Sequence, residues 1–339
     1  MDSPEGIATE PTPPTSGSGH DTGGGEPSDP VTVESRWLTS GTIDDGFGSA
    51  IVAGEDALWI GAPHGENAVV YRWADETLTV ALTGEARLGS HLAWTEDGLW
   101  IAAPLVNSGE GAVLRLDGTR HTDGFGGTGI TLTSTGGGAY GWEGGWVAHD
   151  ERTGASPSRP TALHQNHRGT MGVGMAHGPI SLLAGDRTVP RTTPGDEAGF
   201  SLASAEITGD EIPDWLIGAP GSNTVMALDG SDLSVIKTWT GVGRFGHSVT
   251  VCHLGHGDEM TERITIMVIG SPLANGRGKV DLFLNFSETP ESSWVGSADT
   301  AQLGSTITCL NDGFLAGAPG DAQQAGHVLW VQGLSRRSF

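Results

Sequence analysis

Cys252, His253, His256 and Asp258 lie close enough in the chain to be drawn as a transition-metal site, because thiolate, imidazole and carboxylate are the ligands such ions take. Neighbours on a strand point to opposite faces, so Cys252 and His253 are poorly placed to share one ion. The stretch reads instead as a polar hairpin tip beside a core cysteine. His164 and His167 receive the same reading, as loop histidines rather than ligands. Gly124, Gly126 and Gly129 match the G-x-G-x-x-G spacing of a dinucleotide loop, but a β-rich TLTST follows where that loop needs a helix, and the match is discarded. The sequence holds no G-x-S-x-G elbow, no H-E-x-x-H and no Walker loop. Asn285-Phe-Ser287 is a glycosylation sequon only in a eukaryotic source, which the opening residues do not suggest.

The elements that must carry these residues are short strands. Among 339 residues, 36% are hydrophobic, enough to fill a sizeable core, and 55 are glycine, roughly twice the usual share. Glycine at that level without a G-X-Y period, together with Thr, Val, Ile and Trp, points to many short strands joined by tight turns. No apolar run approaches the roughly 18 residues that cross a bilayer, so no transmembrane segment is expected. The formal charge of −24 repels phosphate backbones and excludes nucleic acid as a partner. Basic ligands or divalent cations suit it better. Lys237 and Lys279 are the only lysines, which reads as genome bias. The two cysteines, Cys252 and Cys309, cannot build a thiolate cage. Counted from their repeat glycines they fall on opposite strand faces, so free, buried thiols are expected rather than a disulfide.

Residues 1–32 are Pro-, Gly- and Ser-rich, acidic and almost without large apolar side chains, so a disordered tail is expected there. A sharper reading is a tether that holds a domain off a cell surface, as such stretches do after a lipid-modified cysteine. No such cysteine is in the sequence. Met1 runs directly into this polar segment, which reads as the start of a processed chain with an added Met, without a signal peptide. Residues 33–339 form the folded domain.

That domain repeats itself. A small or apolar residue and Gly open each unit: Phe47-Gly48, Leu88-Gly89, Phe125-Gly126, Met171-Gly172, Ala198-Gly199, Phe245-Gly246 and Leu303-Gly304. A second run ends in IGAP at Ile60–Pro63, IAAP at Ile101–Pro104, IGAP at Ile217–Pro220, IGSP at Ile269–Pro272 and AGAP at Ala316–Pro319. The opening Gly precedes the small residue of the second cue by 13 positions at Gly48, Gly89 and Gly304; the same step from Gly126 and Gly172 reaches Ala139 and Gly185. Seven units result, with the third and fourth degenerate. A third strand follows each cue, and a fourth appears in runs such as TLTVALTG from Thr77 and SVIKTWTG from Ser234. The last unit lacks a fourth strand, but Glu34–Gly41 resembles one, with Trp37 placed like Trp239 and Trp294. The expected fold is all-β: a seven-bladed β-propeller closed by its N-terminal strand. Trp59 and Trp100 recur at one place in their units, which argues for packing between blades; Trp142 and Trp146 are the only plausible exposed pair, and core packing is expected even there.

These cues resemble the FG-GAP repeats of the integrin α-subunit head propeller and of bacterial surface proteins, over roughly residues 33–333. In that family some blades carry a calcium loop patterned D-x-N-x-D-x-x-x-D between their first two strands. The resemblance places Glu206, Thr208, Asp210 and Asp214 at ligand positions one, three, five and nine of unit five, with the Ile212 carbonyl at seven. Glu at position one and Thr at three depart from the pattern. Two readings stand: one Ca2+ site, or a solvated acidic hairpin tip. The resemblance implies a non-catalytic, secreted or surface-tethered adhesion module, extracellular and monomeric, that recognises a protein or glycan on one face of the disc. The alternative is a propeller enzyme, a polysaccharide lyase or hydrolase acting through its central channel.

Overall fold

In the computed structural model the described residues are 33–334, apart from 43–44, 65–66, 86, 107–110, 124–130, 134–138, 143–144, 149–152, 156–159, 178–179, 192, 255–263 and 321–324. Their strands form seven four-stranded antiparallel sheets. Numbered along the chain, the sheets begin with inner strands Ala50–Ala53, Leu92–Thr95, Thr131–Thr133, Ala162–Gln165, Ser201–Ala205, Ser248–Leu254 and Thr306–Leu310. Each inner strand touches those of both neighbouring sheets, and the seventh touches the first, so the sheets close a ring around an axis. This is a β-propeller, whose radial order leaves only short edges.

The ring is closed by the N-terminus. Glu34–Thr39 pairs antiparallel with His327–Gln332 as the outermost strand of the seventh blade. One detail of that strand departs from expectation. Trp239 pairs with Val225 and Trp294 with Val280, whereas the matching Val328 pairs with Leu38. Leu38 is therefore the inward residue, at 6% exposure, and Trp37 turns outward, edge-on to His327. Side chains alternate with period two, so a displacement of one residue exchanges the faces.

The two repeat cues have one steric cause. The opening glycines Gly48, Gly89, Gly199, Gly246 and Gly304 each donate the N–H to the carbonyl of their own blade's second cue, as Gly48 does to Gly61. Its own carbonyl abuts the second cue of the preceding blade: a Cβ on Gly317 would sit 2.0 Å from the Gly48 oxygen, and one on Gly61 equally close to that of Gly89. Glycine at both places lets neighbouring blades meet backbone to backbone. The apolar residue before each opening glycine, Phe47, Leu88, Phe245 or Leu303, is buried between blades.

This contact locates the fourth blade, where the expected cues are displaced. Met171–Gly174 is its second strand, not its opening, and Gly185 sits at positive φ in the turn after the third. Gly174 stands where the other blades have the second cue, because a Cβ there would lie 2.3 Å from the Gly199 oxygen. In the third blade Ala139 begins the second strand, while Phe125-Gly126 lies outside the described residues.

The cysteine expectation is corrected by the same geometry. Cys252 and Cys309 form a disulfide across the inner strands of blades six and seven, with Cα atoms 5.5 Å apart. The register aligns Ser248 with Thr306, since each pairs with its own blade's second-cue glycine. The cysteines do occupy opposite strand faces. In a ring, however, opposite faces of adjacent blades are the two that meet, and Thr250 Oγ1, on the Cys252 face, lies 3.4 Å from Cys309 Sγ. Tryptophan placement follows expectation at Trp59 and Trp100, both buried; Trp59 stacks on Trp94 of the next blade. Trp146 is half-buried against the core of the fourth blade.

Candidate binding site

The inner strands begin at one end of the axis, and their first residues line a cavity of about 550 Å³. Serine and threonine hydroxyls stand among apolar residues in its wall, and three of them join blades. Thr161 Oγ1, Ser201 Oγ and Ser248 Oγ each donate at 2.8 Å to the opening-glycine carbonyl of the next blade, Gly199, Gly246 and Gly304 in turn. Ser49 and Ser305 close their own turns, donating to Gly46 and Gln302.

Two buried polar atoms of this wall have no partner among the described residues: Ser90 Oγ and His247 Nδ1. Both residues directly follow an opening glycine, where Ser49, Phe200 and Ser305 also stand. The Phe200 ring lies 4.6 Å from the His247 ring. Above them the Arg244 guanidinium is 5.6 Å from the Phe200 centroid and pairs with Glu197 at 2.6 Å. Burial, then the nearby Arg244 charge, pushes the His247 pKa down to about 4, so its imidazole is neutral at pH 7. The described lining also includes His91 but no carboxylate.

The nine-residue loop after the fifth inner strand is built differently from a cation cage. Asp214 is fully buried; its Oδ2 accepts from the Ile207 and Thr208 amides at 2.8 and 2.9 Å, and its Oδ1 from Gly230 N at 2.8 Å. Glu206 Oε1 accepts from Gly209 N at 2.6 Å, and Asp210 Oδ1 from Ile212 N at 2.8 Å. Glu206, Thr208 and Asp210 are exposed while Asp214 is inside, its carboxylate taken up by backbone amides. No group of three His, Cys, Asp or Glu among the described residues is arranged to hold a metal ion. As placed, the Glu206, Thr208, Asp210, Ile212 and Asp214 set does not fit Ca2+, and no part of the function is routed through it.

His164 and His167 separate as well. His164 is largely buried, its Nε2 2.9 Å from Ser204 Oγ and its ring edge-on to Trp215, and burial lowers its pKa to about 4. His167 is exposed. Cys252 is in the disulfide and His253 lies 3.1 Å from Thr265 Oγ1, while His256, Asp258 and the Gly124–Gly129 stretch lie outside the described residues.

His247, Phe200 and Ser90 were missed as site residues. The signal that could have found them is positional: the residue after an opening glycine is Ser in units one, two and seven, and Phe or His in units five and six.

The fold so defined is a β-propeller, a class that hosts binding modules and enzymes alike. No family model matches the chain. It is similar to a solved structure titled "Streptogramin B lyase structure", with a TM-score of 0.60 and 12% identity over 90% of this chain and 100% of that one. A likeness at that identity concerns the fold alone. Among the described residues no helix is long and apolar enough to cross a membrane.

Proposed function

We propose that this protein is a non-catalytic binding module, secreted or surface-tethered, that receives a protein or glycan ligand at the axial cavity. One observation carries the reading: Ser90 Oγ and His247 Nδ1, buried in the cavity wall, have no partner among the described residues. A buried polar atom left unbonded costs about 1–3 kcal/mol, which a ligand group entering the cavity would recover. A neutral imidazole, serine hydroxyls and the Phe200 face suit an uncharged, hydroxyl-bearing or amide-bearing group.

The resemblance of the cues to FG-GAP repeats supports adhesion rather than turnover. So does the described lining, which offers no pair of carboxylates for acid–base work. The Cys252–Cys309 disulfide supports an extracellular site of action, since such bonds persist in oxidising compartments. Residues 1–32 then act as the tether, and the domain works as a monomer. Calcium enters this proposal only as a measurement, described below.

A second reading rests on His247, whose neutral Nδ1 has no partner among the described residues and would act as a lyase base, a weak one at its lowered pKa. Probing the wild-type protein on an array of glycans and matrix proteins, beside a turnover screen on acidic polysaccharides, separates the two. Retention without product formation is expected. Turnover above background transfers the proposal to the lyase reading.

A further inference from the structure

The seam between blades five and six carries a polar cluster that no other described blade has in this place. In blade six Ser271 pairs with Lys279, Ile269 with Asp281, and Asp281 in turn with Ser293. These side chains share the face that packs on Trp239, Phe245 and Val249 of its surroundings. The repeat supplies an internal comparison. The residue at the Ser271 place is Ala62, Ala103, Ala219 and Ala318 in blades one, two, five and seven, all buried. At the Asp281 place the same blades have Tyr71, Leu114, Met226 and Leu329. Lys279 replaces Val69, Ala112, Thr224 and His327.

The substitutions are costly as they stand. Ser271 is 1% exposed and its Oγ has no partner among the described residues. Asp281 is 4% exposed; its Oδ1 is held by Lys279 Nζ at 2.7 Å and by Ser293 Oγ. Replacing such a pair by apolar side chains is often neutral or stabilising, so stability does not explain it. A cavity of about 230 Å³ opens on these groups, with Trp239, Phe245 and Phe283 beneath and Val242, Glu288 and Pro290 around it.

We infer that this seam cavity is a binding site for a neutral polyhydroxylated ligand of monosaccharide size. Inside it, donors (Lys279 Nζ, Ser271 Oγ) alternate with acceptors (Asp281, and Glu288 at the edge). A sugar hydroxyl both donates and accepts, so vicinal hydroxyls match that array, while the aromatic floor takes the C–H edge of the ring. A carboxylate ligand meets Asp281 and Glu288, and an ammonium ligand meets Lys279. The site is separate from the axial cavity and does not depend on its function.

The test uses the full chain and D-glucose, D-galactose, D-mannose and N-acetyl-D-glucosamine as probes, each at millimolar concentration, by titration calorimetry and saturation-transfer NMR. Glutamate and lysine serve as charged controls. At least one sugar is expected to bind, with affinity at least tenfold weaker in Ser271→Ala and Asp281→Leu. Both variants install residues that other blades carry at these places, Ala at the first and Leu at the second. Removing the unpartnered hydroxyl should also raise the melting temperature of Ser271→Ala by about 2–4 °C, while binding falls. Binding of no sugar, equal binding by wild type and both variants, or tighter binding of either charged control overturns the inference. A lowered melting temperature in Ser271→Ala also overturns it, because the hydroxyl would then already be satisfied within the protein.

Discussion

Reducing Cys252–Cys309 should destabilise the propeller by an amount set mainly by the loop it closes. The two residues are 57 apart in sequence. Cross-linking a loop of that length removes about 14 cal/mol/K of chain entropy from the unfolded state, or about 4 kcal/mol at 25 °C. For a domain of this size, where each kcal/mol shifts the midpoint by roughly 2 °C, the melting temperature should fall by about 6–8 °C. Scanning calorimetry with and without a phosphine reductant measures this. The Cys252→Ala/Cys309→Ala double variant should melt near the reduced wild type and be indifferent to reductant. A midpoint that reductant leaves within about 1 °C would refute the reasoning. So would two alkylated cysteines in the unreduced, denatured chain, which would restore free thiols.

Deleting residues 1–32 should leave the melting temperature nearly unchanged, whereas deleting 1–41 removes the strand paired with His327–Gln332 and should lower it by several degrees; equal values would contradict closure by Glu34–Thr39. Gly174→Ala places a methyl 2.3 Å from the Gly199 oxygen and should cost about 2–4 kcal/mol in denaturant unfolding, whereas Gly98→Ala, with no neighbour within 4 Å, should cost only its positive-φ strain of about 1 kcal/mol. His164 and His247 have folded pKa values lowered to about 4 from 6.5, so between those pH values the unfolded chain binds protons that the folded chain refuses. Stability should therefore fall as pH drops from 6.5 to 4, by at most about 3 kcal/mol per histidine, with no contribution from them above pH 7; His164→Gln should flatten that slope in urea titrations. Asp214→Ala removes the acceptor of three backbone amides, that of Gly230 buried, and should cost about 2–4 kcal/mol with or without calcium; a calcium-dependent melting temperature in the wild type, abolished by Asp210→Ala, would instead restore the loop as an ion site.

The β-propeller was legible because its cues are steric necessities: Gly48, Gly61 and their counterparts exist so that two backbones can touch, and that requirement is written in residue type. The fourth blade was misplaced because Gly174-Met175-Ala176 meets the same requirement without proline, while Met171-Gly172 imitates an opening. The disulfide was missed for a different reason. Strand parity was read correctly, but parity within one blade does not say which faces meet across a ring. The site was hardest to see, since Ser90, Phe200 and His247 belong to different blades and become neighbours only around the axis. Burial of Ser271 and Asp281 was likewise invisible in composition and emerges only when the blades are compared in register.

The central claim is that ligand enters the axial cavity and leaves unchanged. Wild-type, Phe200→Ala and His247→Ala proteins, applied side by side to one array of glycans and matrix proteins with mass spectrometry of whatever is retained, address it most directly. The account predicts spots held by the wild type, weakened at least tenfold in both variants, and ligands of unaltered mass. Spots of equal strength in all three proteins, or retained ligands shortened or unsaturated by the wild type, would contradict it.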